Sequence, residues 1–84
     1  MAHEVIGKVA RLYVTAGHCY IRLTGVTDLP LDGYFDLPQS HENYNALYSL
    51  VLAAAINKYN LEIRTIGEID SSKFAGVDYM VVDW

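Results

Sequence analysis

Alternating hydrophobic and polar residues run along the start of the chain, with the two-residue period that is typical of β-strands. The run from Val5 to Val14 is rich in β-branched residues and predicts a first strand. The run from His18 to Gly25 alternates more cleanly and predicts a second strand, with its inward-facing residues at Cys19, Ile21 and Leu23. Gly17 can adopt the positive φ of a tight turn between the two runs, so we expect an antiparallel hairpin.

The first strand carries apolar residues on both faces, which predicts that both faces are partly covered. Strict alternation divides these residues into Ile6, Ala10, Leu12 and Val14 on one face and Val5, Val9 and Tyr13 on the other. Gly7 lies inside the run, which indicates either a β-bulge or the close approach of a neighbouring backbone.

A helix is predicted from Glu42 to Tyr59, where apolar residues recur at spacings of three and four. Ser40 is a suitable N-cap, and Glu42 would lie in the first turn, where a negative charge suits the helix dipole. Asn60 is suited to the left-handed position after the helix. Apolar residues occupy nearly all sides of the helix, which predicts burial on more than one side, and the small residues Ala53 to Ala55 would permit a close neighbour.

Three further strands are predicted, at Tyr34 to Leu37 before Pro38, at Leu61 to Ile69, and at Val77 to Trp84. The helix therefore falls between the third and fourth strands of a β-β-β-α-β-β chain. This order predicts a mainly β, α+β fold in which residues 1–84 form one five-stranded OB-like barrel with one central helix. An open α+β sheet with the helix across one face is the alternative.

Composition narrows the choice of partners. The chain has 84 residues, a hydrophobic fraction of 52% and a single cysteine, so a small domain without an intrachain disulfide carries a surplus of apolar surface that suggests subunit contacts. A net charge of −4 argues against nucleic acid as a partner. No apolar run approaches the roughly 20 residues that span a bilayer, so we expect no membrane insertion. The first residues lack a signal-peptide pattern, which predicts a cytoplasmic protein, or a secreted one if a leader has been removed.

Catalytic chemistry finds little support in the sequence. No phosphate-binding loop, nucleophile-elbow motif or zinc-protease motif is present, so we expect neither an enzyme nor a cofactor or metal. Adjacent strand residues such as His18 and Cys19 point to opposite faces and cannot share a metal. Asp28, Asp32 and Asp36 are interpreted as solvated loop acids, and Asp36 with His41 as a capping cluster at the helix entrance.

The helix and the hairpin together resemble the B subunits of AB-type bacterial toxins, in the subtilase-cytotoxin and pertussis-like group. The resemblance is carried by Gly7 in the first strand, by Tyr20, Ile21 and Gly25 in the second, by Tyr44, Asn45, Leu47 and Tyr48 in the helix, and by Leu61 and Ile63 after it. It implies an OB-fold subunit that assembles into a ring, typically a pentamer, with helices lining the pore and a surface that binds host-cell glycans. The family's glycan-contacting serine and tyrosine fall on Ile6 and Thr65 here.

Two sets of functional residues follow. The expected ligand-binding residues are Tyr20, Arg22, Tyr34 and Thr65, and the expected interface residues are Leu50, Ala53, Ala54 and Asn57. The leading hypothesis is a ring-forming homo-oligomeric binding subunit whose ligand is a cell-surface glycan or a partner protein. The alternatives are a structural self-assembling module without a small ligand, and a small enzyme or immunity-type partner protein.

Overall fold

The computed structural model of the protein describes residues 4–25, 33–67 and 74–83. The secondary-structure elements are β1 (Glu4–Gly7), β2 (Val9–Thr15), β3 (His18–Leu23), β4 (Tyr34–Pro38), α1 (Tyr44–Asn57), β5 (Asn60–Thr65) and β6 (Ala75–Asp83). The fold is mainly β with one helix between β4 and β5, in agreement with the predicted order. The predicted fourth strand ends earlier than expected, at Thr65, and the positions 68–69 and 84 of the predicted strands lie outside the described residues.

The strands form a six-stranded sheet in the order β1-β5-β6-β4-β3-β2. All pairs are antiparallel except β4 and β6, which run parallel and bring Phe35 beside Ala75 and Asp36 beside Gly76. These pairings form an open series and do not close into a barrel. The two edge strands of the series, β1 and β2, are consecutive in the chain and are separated only by Lys8.

The predicted first strand is two strands because its backbone changes partner at Lys8. β1 pairs with β5, whereas β2 pairs with β3. A register shift between Val9 and Arg11 inserts Ala10 as an extra residue, which reverses the alternation of the faces. Val5, Val9 and Leu12 therefore pack against the core, and the predicted grouping of Leu12 with Ile6, Ala10 and Val14 is wrong because those three are exposed.

Gly7 lies at the point where the two halves of the first strand meet. A Cβ atom added at Gly7 would lie 2.9 Å from the carbonyl oxygen of Thr24 and 3.3 Å from the Cβ of Leu23. The backbone amide of Thr24 also donates a hydrogen bond to the carbonyl of Lys8, at 2.8 Å. The predicted close backbone approach at Gly7 is confirmed, and the β-bulge lies further along the chain, at Ala10.

The β2–β3 hairpin agrees with its prediction. Gly17 has a φ of 88° in the turn, and Cys19, Ile21 and Leu23 are buried. In β6 the register against β5 shifts between Arg64 and Thr65, so that alternation is again broken. Val77 and Met80 consequently face the core, whereas Tyr79 and Val81 are exposed.

Helix α1 is shorter than predicted at both ends. Its N-cap is Asn43 and not Ser40, because residues 38–44 are held in turns by hydrogen bonds from the His41 amide to Pro38 and from the Tyr44 amide to His41, both at 3.0 Å. Glu42 consequently precedes the helix instead of lying in its first turn. At the other end Lys58, not Asn60, takes the left-handed conformation, with a φ of 60°.

The helix packs one stripe of residues against the sheet. Leu47, Val51 and Ala54 are buried in a core that also contains side chains of β3, β4, β5 and β6. Other helix residues, including Ala53 and Ile56, remain exposed. No helix in the described part of the chain is long and apolar enough to cross a membrane.

Candidate functional site

Aromatic side chains gather on the outer face of the sheet formed by β2, β3 and β4. Because the odd-numbered residues of β3 face the core, its even-numbered residues point outward, and Tyr20 lies at the centre of this surface. The strand register places Tyr13 of β2 and Asp36 of β4 on either side of Tyr20, and Tyr34 beside Arg22. We call this surface the aromatic face, and its rings are those of Tyr13, Tyr20, Tyr34 and Phe74.

Tyr20 contacts every other ring of the aromatic face. Its centroid lies 5.8 Å from that of Tyr13, 6.5 Å from that of Tyr34 and 4.8 Å from that of Phe74. These separations fall in the range of about 4.5–7 Å at which aromatic pairs attract one another. Tyr13 and Phe74 remain 46% and 38% exposed, so the rings present apolar surface to solvent.

Polar groups flank the aromatic face. The guanidinium of Arg22 lies 5.6 Å from the centroid of Tyr34, a cation–π contact. The imidazole of His18 stacks on Tyr20 with a centroid separation of 5.7 Å and an interplanar angle of 6°. His18 Nδ1 lies 2.8 Å from Oδ1 of Asp36. Burial, followed by the negative charge of Asp36, raises the pKa of Tyr20, so its phenol keeps its proton as a hydrogen-bond donor.

Three of the four predicted ligand-binding residues lie together on this face, namely Tyr20, Arg22 and Tyr34. Thr65 does not belong with them. It lies on β5 with only 1% of its surface exposed, and its hydroxyl donates to the carbonyl of Gly67 at 3.1 Å. Its alternation in β5 directs Thr65 towards the core and away from the aromatic face, so it lies apart from the other three residues.

The sequence interpretation paired Asp36 with the wrong histidine. Asp36 contacts His18 across the β3–β4 ladder, whereas the Nδ1 of His41 accepts the Asn43 amide and its Nε2 lies 3.1 Å from the Asp78 carbonyl. Alternation in their strands directs both His18 and Asp36 outward, and this pattern could have predicted that they lie on the same face. Asp28 and Asp32, the other acids of that interpretation, lie outside the described residues.

A second concave region lies between the segment before α1 and the paired ends of β5 and β6. It has a volume of about 690 Å³, and His41, Arg64 and Tyr79 contribute to its lining. Arg64 already has partners there: it forms an ion pair with Glu4, and its guanidinium lies 5.8 Å from the Tyr79 ring. A hydrogen bond with Tyr79 is the main cause that raises the pKa of Arg64, so the guanidinium is firmly charged and engaged.

The predicted interface residues of the helix do not share one outward surface. Ala54 is fully buried in the core, Leu50 is half-buried, and Ala53 and Asn57 are exposed. The Asn57 side chain donates to the Ala53 carbonyl at 2.9 Å. Ile56, which was not among the predicted residues, is 77% exposed and is the large apolar side chain that the helix presents to solvent.

Other reactive groups offer little chemistry. Within residues 4–25, 33–67 and 74–83, no three His, Cys, Asp or Glu side chains gather as a metal site would require. Burial, with a smaller contribution from Asp36, raises the pKa of the Cys19 thiol and so suppresses the reactive thiolate. No protein-family model matches the chain, and no curated protein or solved structure is significantly similar to it.

Proposed function

We propose that this protein is a ring-forming binding subunit that recognises a glycan through the aromatic face. The observation that carries the proposal is the central position of Tyr20, which has aromatic neighbours on three sides and charged or polar groups at the margin. The C–H faces of a pyranose ring are apolar and pack well against aromatic rings. Sugar hydroxyls need hydrogen-bond partners, which the Tyr20 phenol, Arg22 and Asp36 provide.

The strand order supports an OB-type reading of the fold. β1 and β2 lie at the two ends of the open series, and if they are counted as the two halves of one bent strand, the order of neighbours is 1-2-3-5-4-1, with the third and fifth strands parallel. An OB-fold is a partly open barrel that binds oligosaccharides and oligonucleotides on the face of its second and third strands. Those strands correspond to β3 and β4, which carry Tyr20 and Tyr34. The net charge of −4 favours the saccharide over the nucleic acid.

The exposed apolar residues support self-assembly. Ile56 on the helix is 77% exposed, and Ile66 after β5 is 62% exposed. Covering such a side chain is favourable, because removing apolar surface from water gains about 25 cal/mol per Å². We propose that neighbouring copies cover the Ile56 side of α1, in a ring for which five subunits is the favoured number. The same exposed residues favour the second candidate, a structural self-assembling module without a small ligand.

A glycan array tests the proposal and distinguishes the two candidates. Labelled wild-type protein, Tyr20→Ala and Tyr79→Ala are compared at equal concentration. Tyr79 is a matched control because it is a half-exposed strand tyrosine whose ring packs on Arg64 instead of the aromatic face. We expect wild-type protein and Tyr79→Ala to bind the same glycans, and Tyr20→Ala to lose at least tenfold in signal. An array without wild-type binding would refute the glycan proposal and favour the self-assembling module.

A further inference from the structure

We infer that Asp36, oriented by His18, makes the aromatic face selective for neutral sugars with adjacent free hydroxyls over sugars that carry a carboxylate. The inference rests on the proposed glycan-binding function and names the class of ligand. Its basis is the position of one carboxylate on an aromatic surface, which the glycan proposal itself does not require.

Asp36 lies in a row of outward positions that crosses the sheet. Its neighbour on β3 is Tyr20, and its neighbour on β6 is Gly76. Gly76 has no side chain, and the nearest atoms to a Cβ added there belong to Ile66, at 3.7 Å and 4.0 Å. The sheet surface beside Asp36 is therefore bounded by the Ile66 side chain on one side and by the Tyr20 ring on the other. A ring-shaped ligand that lies on the aromatic face beside Tyr20 would place its edge over Asp36.

The carboxylate of Asp36 is fixed in place and retains acceptor capacity. Its Oδ1 is held by His18 Nδ1 at 2.8 Å, while Oδ2 makes no hydrogen bond with any residue that the structure describes. The Asp36 side chain is 24% exposed, so solvent or a ligand reaches it. His18 is itself fixed by stacking on Tyr20. A carboxylate that is oriented before binding loses little conformational freedom when it accepts hydrogen bonds from a ligand.

Adjacent hydroxyls suit this group because the two oxygens of a carboxylate accept from two donors and donate to none. A carboxylate on the ligand would instead meet a like charge without a donor between them. Arg22 does not reverse this preference at the Asp36 position, because it is paired across the strands with Tyr34 and its guanidinium lies over that ring. A sugar that lies on Tyr20 therefore meets the negative group first.

The test is a calorimetric titration of the full chain with neutral methyl pyranosides of glucose, galactose and mannose, and with the matching methyl glucuronide and galacturonide. Wild-type protein should bind at least one neutral sugar about tenfold more tightly than its uronide. Asp36→Asn keeps the shape of the side chain and removes its charge. Because hydrogen bonds to charged groups are about twice as strong as neutral ones, this variant should bind the neutral sugar about tenfold more weakly. It should also lose the discrimination against the uronide.

His18→Phe provides a second, independent variant. It keeps an aromatic ring to stack on Tyr20 and removes the hydrogen bond that orients Asp36, so we expect a threefold to tenfold loss of neutral-sugar affinity and partial loss of selectivity. This variant carries the test if Asp36→Asn does not fold. Uronides that bind wild-type protein as tightly as the neutral sugars, while Tyr20→Ala abolishes all binding, would overturn the Asp36 inference and leave the glycan proposal standing. Absence of binding by every sugar, here and on the array, would overturn both.

Discussion

Replacing Gly7 with alanine tests how the first strand passes from one edge of the sheet to the other. Gly7 does not have a positive φ, so an alanine is compatible with its backbone conformation. The obstacle is space, since the new methyl group would lie 2.9 Å from the Thr24 carbonyl oxygen and 3.3 Å from the Cβ of Leu23. Both atoms belong to the backbone or to its first side-chain carbon, so neither can rotate away.

The expected cost follows from two opposing effects. Forcing an extra methyl group into a packed region typically costs about 1–3 kcal/mol of stability. Restricting the unfolded chain by replacing glycine with alanine returns about 0.4–1 kcal/mol. We therefore expect Gly7→Ala to lower the free energy of unfolding by about 1–2 kcal/mol. For a domain of this size each kcal/mol corresponds to about 4–8 °C in the melting temperature.

Gly76→Ala is the matched control. Gly76 is also a strand glycine without a positive φ, but the nearest neighbour of its added Cβ is a flexible side-chain atom of Ile66 at 3.7 Å. We expect this variant to match or slightly exceed the stability of wild-type protein. Urea titrations followed by far-UV circular dichroism measure all three proteins. Equal stability of Gly7→Ala and Gly76→Ala would show that β1 does not pack against the end of β3, and would refute the described path of the first strand.

The remaining predictions concern the core and the helix surface. Cys19 should react with iodoacetamide far more slowly in native protein than in urea, and rapid alkylation of the native protein would contradict its burial. Its raised pKa keeps the thiol of the folded protein protonated at a pH at which the thiol of the unfolded chain ionises. The free energy of unfolding should therefore fall as the pH rises above about 8.5, as urea titrations at a series of pH values would detect. Ile56→Asp should stay folded and should lower the native mass that light scattering measures. Ile6→Asp, an exposed control on β1, should keep the wild-type mass. An unchanged mass in Ile56→Asp would show that α1 does not form the interface between subunits. Ala54→Glu should unfold the domain, because Ala54 is buried.

Much of the sheet could be predicted because its alternation is regular. In β3 each inward residue is apolar and each outward one is polar or aromatic, so the pattern determines the faces. The pattern misleads in the first strand, where Ala10 is an extra residue, and alternation is also broken in β6, where the register shifts near Val77. A bulge depends on the partner strand, so alternation within one strand does not reveal it. The helix begins later than predicted because the backbone amide and carbonyl of His41 form hydrogen bonds within turns, so that Asn43 is the N-cap.

Only part of the candidate site could be predicted from the sequence. Tyr20 and Arg22 share one face of a single strand, so their proximity follows from the sequence alone. The contact between His18 and Asp36 depends on the register of two strands, which the sequence does not state. Phe74 joins the aromatic face through the parallel pairing of β4 with β6, strands that the helix and β5 separate in sequence. Thr65 is included by the resemblance alone, and it is buried on β5, apart from the aromatic face.

We propose that a glycan binds at the aromatic face. The most direct test is to titrate ¹⁵N-labelled protein with neutral methyl pyranosides and to follow the backbone amides by two-dimensional NMR. We expect saturable shift changes concentrated at Tyr13, Tyr20, Tyr34 and Asp36, with little change along α1. Changes centred instead on Arg64 and the cleft beside it, or no saturable change with any sugar, would contradict the account.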